Sequence, residues 1–390
     1  MLGGIELKEK KRWKAGIVLF VVCLLFCPAA GFAKTKTQSK EEVKIEVTDL
    51  DSLQEAVNFI TEERPLKKSA DIWQSQRLLV QGKTSFDAMG ASYVIQGYED
   101  ITILEYNSVK EAKEAYAYLK NMPGLSVEAD APFEETSLES QKGREILKTA
   151  GNKQASVAKR SGGREIVAAV IDSGYDVDSY GSKRLTEGID LTNAGSISDD
   201  NGHGTEMANL ILEHTPESVK VMPVKVADGN GRSSLLRIYL GIRYALEHGA
   251  DIINISMCGV KTERSKILGE AIRKAKQEGV FVVASAGNAG KNTAEFSPAN
   301  EEAAIVVSAV DENRKVEGYS NRGECVDYCA YGSVQTSGKN GKKVQASGTS
   351  AAAAVVSAVI ARRKAYRPDR SYEEIIRLLN ESAEDLGEAG

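Results

Sequence analysis

The sequence predicts an α/β chain: a doubly wound, mainly parallel sheet over residues 164–390, preceded by a small α+β domain over residues 41–131. Three observations predict it. Glu165–Ile171, Val219–Val226, Asp251–Ser256, Val280–Ala284 and Ala303–Val310 are near-continuous apolar runs, as strands covered on both faces are. Between several of them, Ser234–His248 and Ser265–Glu278 are amphipathic and each stops at a glycine, Gly249 and Gly279. At 390 residues the chain also exceeds one ordinary domain, so a second folded unit is expected.

In the smaller unit, Arg77–Gln81 and Ala91–Gly97 suggest strands, and Ile101–Tyr106 alternates as a strand does. Ser108-Val-Lys-Glu111 is a capping-box pattern that opens a helix. Ala112, Ala115, Tyr116 and Leu119 recur along it, and Pro123-Gly124 turns the chain out. Leu125–Ala129 then closes a β-β-α-β order. Residues 132–163, polar and ending in Lys159-Arg160-Ser-Gly-Gly163, read as a connector with some helix in it.

The N-terminus follows a different rule. Lys8, Lys10, Lys11, Arg12 and Lys14 precede an uncharged stretch from Ala15 to Ala33, broken by Pro28, with Gly31 and Ala33 at −3 and −1 of a cut before Lys34. That is the layout of a signal peptide, so residues 1–33 predict export and a secreted protein. The alternative is an uncleaved anchor, which would hold the protein on the outer face of a membrane. Removing residues 1–33 takes away five basic and two acidic side chains, so the net charge falls from −5 to −8, and nucleic acid is excluded as the expected partner. Of the 5 cysteines only Cys258, Cys325 and Cys329 then remain, too few for a disulfide scaffold and spaced unlike a zinc site. No metal ligand set is evident.

The residues that carry chemistry lie where the predicted strands end. Asp172 follows a strand and precedes Ser173-Gly174, which alone would suit a turn former. His203 differs from His214 and His248, which sit near helix ends, because glycines bracket it in Asp199-Asp-Asn-Gly-His-Gly-Thr205 just before an apolar helix. Ser350 sits where Ser347-Gly-Thr-Ser-Ala-Ala turns into a small-residue helix; it could be a plain cap, or a nucleophile beside an N–H aimed at an oxyanion. Asn288 ends the strand Val282-Val-Ala-Ser-Ala-Gly-Asn288 with an amide that can donate, or that merely forms a turn.

Each signal is weak alone, and their order is not. Asp, then His, then Ser distinguishes one class of hydrolase triad from those that run Ser-acid-His or His-Asp-Ser. Ala169-Val-Ile-Asp172-Ser-Gly174, Asn201-Gly-His203-Gly-Thr205, Ala286-Gly-Asn288 and Gly348-Thr-Ser350, at spacings of 31, 85 and 62 residues, resemble the motifs of the subtilisin-like serine proteases. Val224-Lys-Val226 and Asp251-Ile-Ile-Asn-Ile-Ser256 extend the resemblance over roughly residues 145–385. It implies a serine endopeptidase working through an acyl-enzyme: Asp172 orients the imidazole, His203 takes the proton of Ser350, and Asn288 with the Ser350 N–H holds the oxyanion. It also implies that Ser256, Met257, Cys258 and Gly259 form a strand that pairs with an extended peptide, and that Ala284, Ser285 and Ala286 wall a specificity pocket. By position, the small unit resembles the family's propeptide, a chaperone and inhibitor removed by self-cleavage; a merely structural N-terminal domain is the plainer reading.

The chain departs from the family at several points. Glu206 stands where many members carry His, Ala351 where Met is usual, and Ala354-Val355 replace Pro-His. None removes a catalytic atom. The short link from the His203 helix to the strand at Val219 lacks the loop that often builds a calcium site; no cofactor is required, and calcium dependence stays open. Two other functions compete: an inactive relative that only binds peptides, and a membrane-held processing protease with one narrow substrate.

Overall fold

A computed structural model describes residues 18–21, 42–63, 75–135, 164–260 and 263–386, which divide into two compact units with the boundary after Ala129. The first contains strands β1 (Val18–Val21) and β2 (Val43–Glu46), helix α1 (Leu50–Glu63), strands β3 (Arg77–Gln81), β4 (Tyr93–Tyr98) and β5 (Ile101–Glu105), helix α2 (Val109–Leu119) and strand β6 (Ser126–Ala129). They form one sheet in the order β1-β2-β4-β5-β3-β6. The three strands read before the helix are β3, β4 and β5, and the order expected from sequence is corrected in that β1, β2 and α1 come before them. The signal for α1 was present, since Leu50, Leu53, Val57 and Ile60 recur on one buried face and Asp49 caps the Ser52 N–H at 2.8 Å. α2 starts where its capping box places it, with Ser108 accepting from the Glu111 N–H at 3.2 Å. Of the predicted leader, only β1 lies within the described residues. No helix among them is long and apolar enough to cross a membrane.

A buried ion pair ties two strands of this unit. Arg77 and Glu105 face each other across β3 and β5, Nε to Oε2 at 2.9 Å, each side chain only 4% exposed. Losing one partner leaves a buried charge uncompensated. Glu105→Ala is expected to destabilise the unit by about 3–5 kcal/mol, while Arg77→Met with Glu105→Leu recovers most of that loss. Urea titration followed by tryptic susceptibility of residues 42–129 checks both, and equal stability of the single variant and the wild type would overturn the expectation.

The second unit begins with strand β7 (Pro132–Glu135) and continues as β8 (Ile166–Asp172), β9 (Ile189–Asp190), α3 (His203–Glu213), β10 (Val219–Lys225), β11 (Arg232–Ser234), α4 (Leu235–Glu247), β12 (Ile252–Ile255), β13 (Met257–Val260), α5 (Lys266–Gln277), β14 (Phe281–Ser285), β15 (Phe296–Ser297), β16 (Ile305–Val310), β17 (Tyr328–Tyr331), β18 (Ser333–Ser337), β19 (Lys343–Ser347), α6 (Thr349–Tyr366) and α7 (Tyr372–Ser382). Its main sheet has seven strands, all parallel, in the order β17-β16-β14-β12-β8-β10-β9. The apolar runs read from sequence are its central strands. α3 and α6 pack on one face, where Ala351, Ala352, Ala353 and Ala354 are fully buried against Phe281, Val283 and Val307. α4 covers the other, Gly241 lying against Val224, Val226 and Ile171. From Ala351 to Ala361 every side chain of α6 except Ser357 is apolar, and the small ones let the sheet and α3 approach closely.

Successive strands leave β8 in opposite directions, toward β10 on one side and β12 on the other. The carboxyl ends of β8 and β12 therefore frame the crevice in which such sheets place their sites. Residues 132–135, read from sequence as the start of the connector, are instead a strand of this unit. β7 runs antiparallel between β11 and β13 in a sheet ordered β11-β7-β13-β15. Residues 136–163, the rest of that connector, lie outside the described residues.

Candidate active site

Asp172 ends β8 with its side chain fully buried, and its Oδ1 accepts the Ser173 N–H at 2.8 Å. α3 begins at His203, whose backbone N–H is capped by Asn201 Oδ1 at 3.1 Å, while Asp199 accepts the Thr205 N–H and hydroxyl at 2.9 and 2.6 Å. These contacts set the first turn of α3 against the end of β8. His203 Nδ1 then lies 2.8 and 3.0 Å from the two oxygens of Asp172, which makes Nδ1–H the donor and leaves Nε2 to face the crevice.

The close approach depends on Gly204. A Cβ there would sit 2.4 Å from the Gly174 carbonyl oxygen and 3.1 Å from the Ser173 amide nitrogen, both backbone atoms with no way to yield. Gly204→Ala is expected to push α3 from β8, destabilise the chain by about 1–3 kcal/mol and lower any His203-dependent turnover by 100-fold or more. Steady-state kinetics and a urea melt check it; unchanged turnover would show that the approach is not needed.

Ser350 stands in the first turn of α6, and its hydroxyl donates to the Ser256 carbonyl at 3.3 Å. His203 Nε2 makes no hydrogen bond in this structure. Asn288 follows β14, and its Oδ1 accepts both the Thr349 N–H at 3.0 Å and the Thr349 hydroxyl at 2.9 Å. With that oxygen engaged, the Nδ2 end of the amide is the donor end turned away from Thr349. Thr349 in turn accepts the Gly287 N–H at 3.1 Å. The structure thus brings Asp172 and His203 into direct contact, and ties Ser350 to Ser256 and Asn288 to the residue before Ser350.

Of the predicted peptide-binding residues, Met257, Cys258 and Gly259 lie on β13 and Ser256 immediately precedes it. Ala284 and Ser285 end β14, Ala286 follows, and all three are fully buried. What β13 pairs with is the chain itself: Cys258 opposes Glu134 and Met257 opposes Glu135. Phe133, 1% exposed, fills the space beside Gly259, where a Cβ would come within 3.0 Å of its ring. The Glu135 N–H donates to the Gly231 carbonyl at 2.9 Å, and its carboxylate joins Asp172 and His203 in a cluster whose nitrogen and oxygen atoms lie within 4.8 Å of one another. An open cavity of about 650 Å³ lies elsewhere, between β17, α6 and α7; Asp327, Cys329 and Glu384 are among its lining residues, and neither His203 nor Ser350 is. β7 lies in the crevice, paired with β13.

The cluster is electrostatically crowded. Burial disfavours a charged His203, yet the Asp172 carboxylate and its hydrogen bond outweigh it, with Glu135 and Glu206 adding, and its pKa rises to about 10. Burial raises Glu135 to about 8 even though His203 pulls it down, and Asp172 and Asp199 push the same way as burial. Glu206, also raised, is held up first by burial. Asp172 Oδ1 already takes the Ser173 amide, the Ser173 hydroxyl and His203 Nδ1, so the set reads as an acid–base cluster and not as a cage for an ion. Sequence reasoning missed Glu135, which carries no local signal in a polar run, and Thr349, whose only signal is that it precedes Ser350.

The family model described as "Subtilase family" matches residues 163–390, more than half of the chain. The minor extracellular protease Epr of Bacillus subtilis is 31% identical over 238 residues, covering 58% of this chain and 36% of that protein. A thermostable alkaline protease of Halalkalibacterium halodurans is 32% identical over 229 residues, 56% of this chain and 62% of its own length. The chain thus spans less than two thirds of either. A crystal structure of a cold adapted subtilisin-like serine proteinase superposes with a TM-score of 0.53 at 26% identity, over 57% of this chain and 84% of that one.

Proposed function

The chain belongs to the subtilase family, and from that premise we propose that it is a serine endopeptidase made as a secreted zymogen, with Asp172, His203 and Ser350 as its triad. One observation carries the reading furthest. The strand β7 lies antiparallel on β13, with Phe133 in an apolar recess and Glu135 at His203, as a peptide substrate would lie.

In the reaction, Ser350 Oγ attacks the scissile carbonyl carbon while its proton passes to His203 Nε2, and Asp172 at Nδ1 holds the tautomer and offsets the imidazolium charge. Asn288 Nδ2 and the Ser350 N–H at the start of α6 stabilise the oxyanion. His203 returns the proton to the leaving amine, and water then releases the acyl group by the same steps. No cofactor takes part. Proton transfer from Ser350 requires its hydroxyl to turn from Ser256 toward His203, beside which Glu135 of β7 already lies. This supports reading the first unit and the segment that follows it as an inhibitory propeptide. The basic, then uncharged, leader supports export.

The unmade bond at His203 Nε2 also fits an inactive peptide-binding relative. Turnover of unfolded casein, together with N-terminal sequencing of the expressed protein, separates the two: an active zymogen loses its N-terminal unit and degrades casein, and the inactive relative does neither. A related expectation concerns oxidation. Ala351 leaves no sulfur beside Ser350, and Met257, Met207 and Met222 are buried, so peroxide exposure that inactivates an Ala351→Met variant should leave most wild-type activity. Equal inactivation of the two would overturn it.

A further inference from the structure

We propose that Glu135 is a proton-operated latch: the segment Pro132–Glu135 stays in the crevice while Glu135 and His203 together hold an extra proton, and leaves as that proton is lost at alkaline pH. The proposal rests on the propeptide reading above and adds its trigger. Pro132–Glu135 is clamped by backbone pairing to β11 and β13, and its start is fixed at α4, whose Leu235 and Leu236 N–H groups donate to the Ala131 carbonyl and Asp130 Oδ1 at 2.8 Å each. Backbone pairing itself carries no titratable proton. The Glu135 side chain is different, because it is carried into a pocket built almost wholly of acids.

The groups that face it come from every neighbouring element. β8 contributes Asp172, with Ser173 just after it, α3 contributes His203, and the turn before α3 contributes Asp199; Glu206 on α3 adds its charge at His203. On β11, Arg232 stands opposite Glu134, and on β13 Cys258 does the same. The buried cation of β10, Lys225, is committed to Asp200 at 3.0 Å. His203 is the basic group beside Glu135, the Ser173 side chain hydrogen-bonds the same carboxyl group, and Glu135 Oε1 and His203 Nε2 are both buried without a hydrogen-bond partner. Gly231, with φ of +74°, makes room for this placement: a Cβ there would lie 2.7 Å from Glu135 Oε2.

The sign follows from linkage. Seating the segment lifts Glu135 from 4.5 to about 8, burial first, and the same contact helps lift His203. Whichever of the two carries the proton, the seated form binds one more than the released form. Seating is thus favoured at low pH and weakens as pH rises, first through about 8, where Glu135 gives up its proton, and then toward about 10, where His203 does. Release then frees His203 Nε2 as a base at the pH where a base is needed.

The test uses the full chain with Ser350→Ala, which cannot cut itself, and a dansylated neutral peptide, Ala-Pro-Phe-Gln-Gln-Thr, that competes with the segment for the crevice. Fluorescence anisotropy from pH 6 to pH 10 should show affinity rising by about tenfold per pH unit and levelling only toward pH 10, where His203 has also given up its proton. Adding Glu135→Gln should flatten the profile to within about threefold, and Glu135→Ala should do the same. An equal slope with and without Glu135, or a peptide excluded alike at every pH, overturns the latch and leaves the propeptide reading standing. Phe133→Ser, which removes the buried anchor, is the reference for an open crevice. If the Ser350→Ala chain already binds the peptide at pH 6 as tightly as that variant, the segment does not block the crevice, and the propeptide reading itself fails.

Discussion

Ser350→Ala is expected to lower kcat for peptide hydrolysis by about 10⁶-fold, the scale on which a subtilisin loses rate when its triad serine is removed. The substitution deletes one oxygen in the first turn of an enclosed helix whose next residues are already alanine, so folding should be nearly unaffected. The hydroxyl's 3.3 Å bond to the Ser256 carbonyl is not one that holds the sheet together. Two readouts should move as one: casein turnover disappears, and the full chain persists uncut when its N-terminus is sequenced. Retention of activity within about tenfold would assign the nucleophile elsewhere, because no residual mechanism that keeps only the oxyanion donors reaches that rate.

Asn288→Ala is expected to lower kcat by roughly 10²–10³ with little change in KM, because the lost donor acts only on charge that develops in the transition state. The structure adds a complication, since Asn288 Oδ1 also accepts both Thr349 donors and so helps seat the start of α6. Asn288→Asp separates the two roles. It keeps the acceptor for Thr349 and removes the donor, so it should fold as the wild type does and still lose turnover on the same scale. A loss below threefold in both variants would remove Asn288 from the oxyanion role. Near-normal turnover in Asn288→Asp alone would make its work the support of Thr349.

The sequence by itself determined what is local. Near-continuous apolar runs marked β8, β10, β12, β14 and β16, because a strand covered on both faces has no polar phase to hide its pattern. Gly249 and Gly279 marked the ends of α4 and α5, where φ is positive and a side chain would be strained. Asp172, His203, Asn288 and Ser350 could be named because each lies in a short motif whose neighbours are themselves constrained. What depends on distant partners came from the fold. β11 and β13 are short, and they become strands by pairing with β7, which lies far from each of them in the chain. Pro132–Glu135 has no periodicity of its own, and its two acids read as one more stretch of polar connector. They gain their meaning from where backbone pairing carries them: Phe133 into a recess beside Gly259, and Glu135 out of water and against the Asp172–His203 pair. Burial and proximity shift a carboxyl group's protonation by far more than its neighbours in sequence can, and neither is written in the sequence around Glu135.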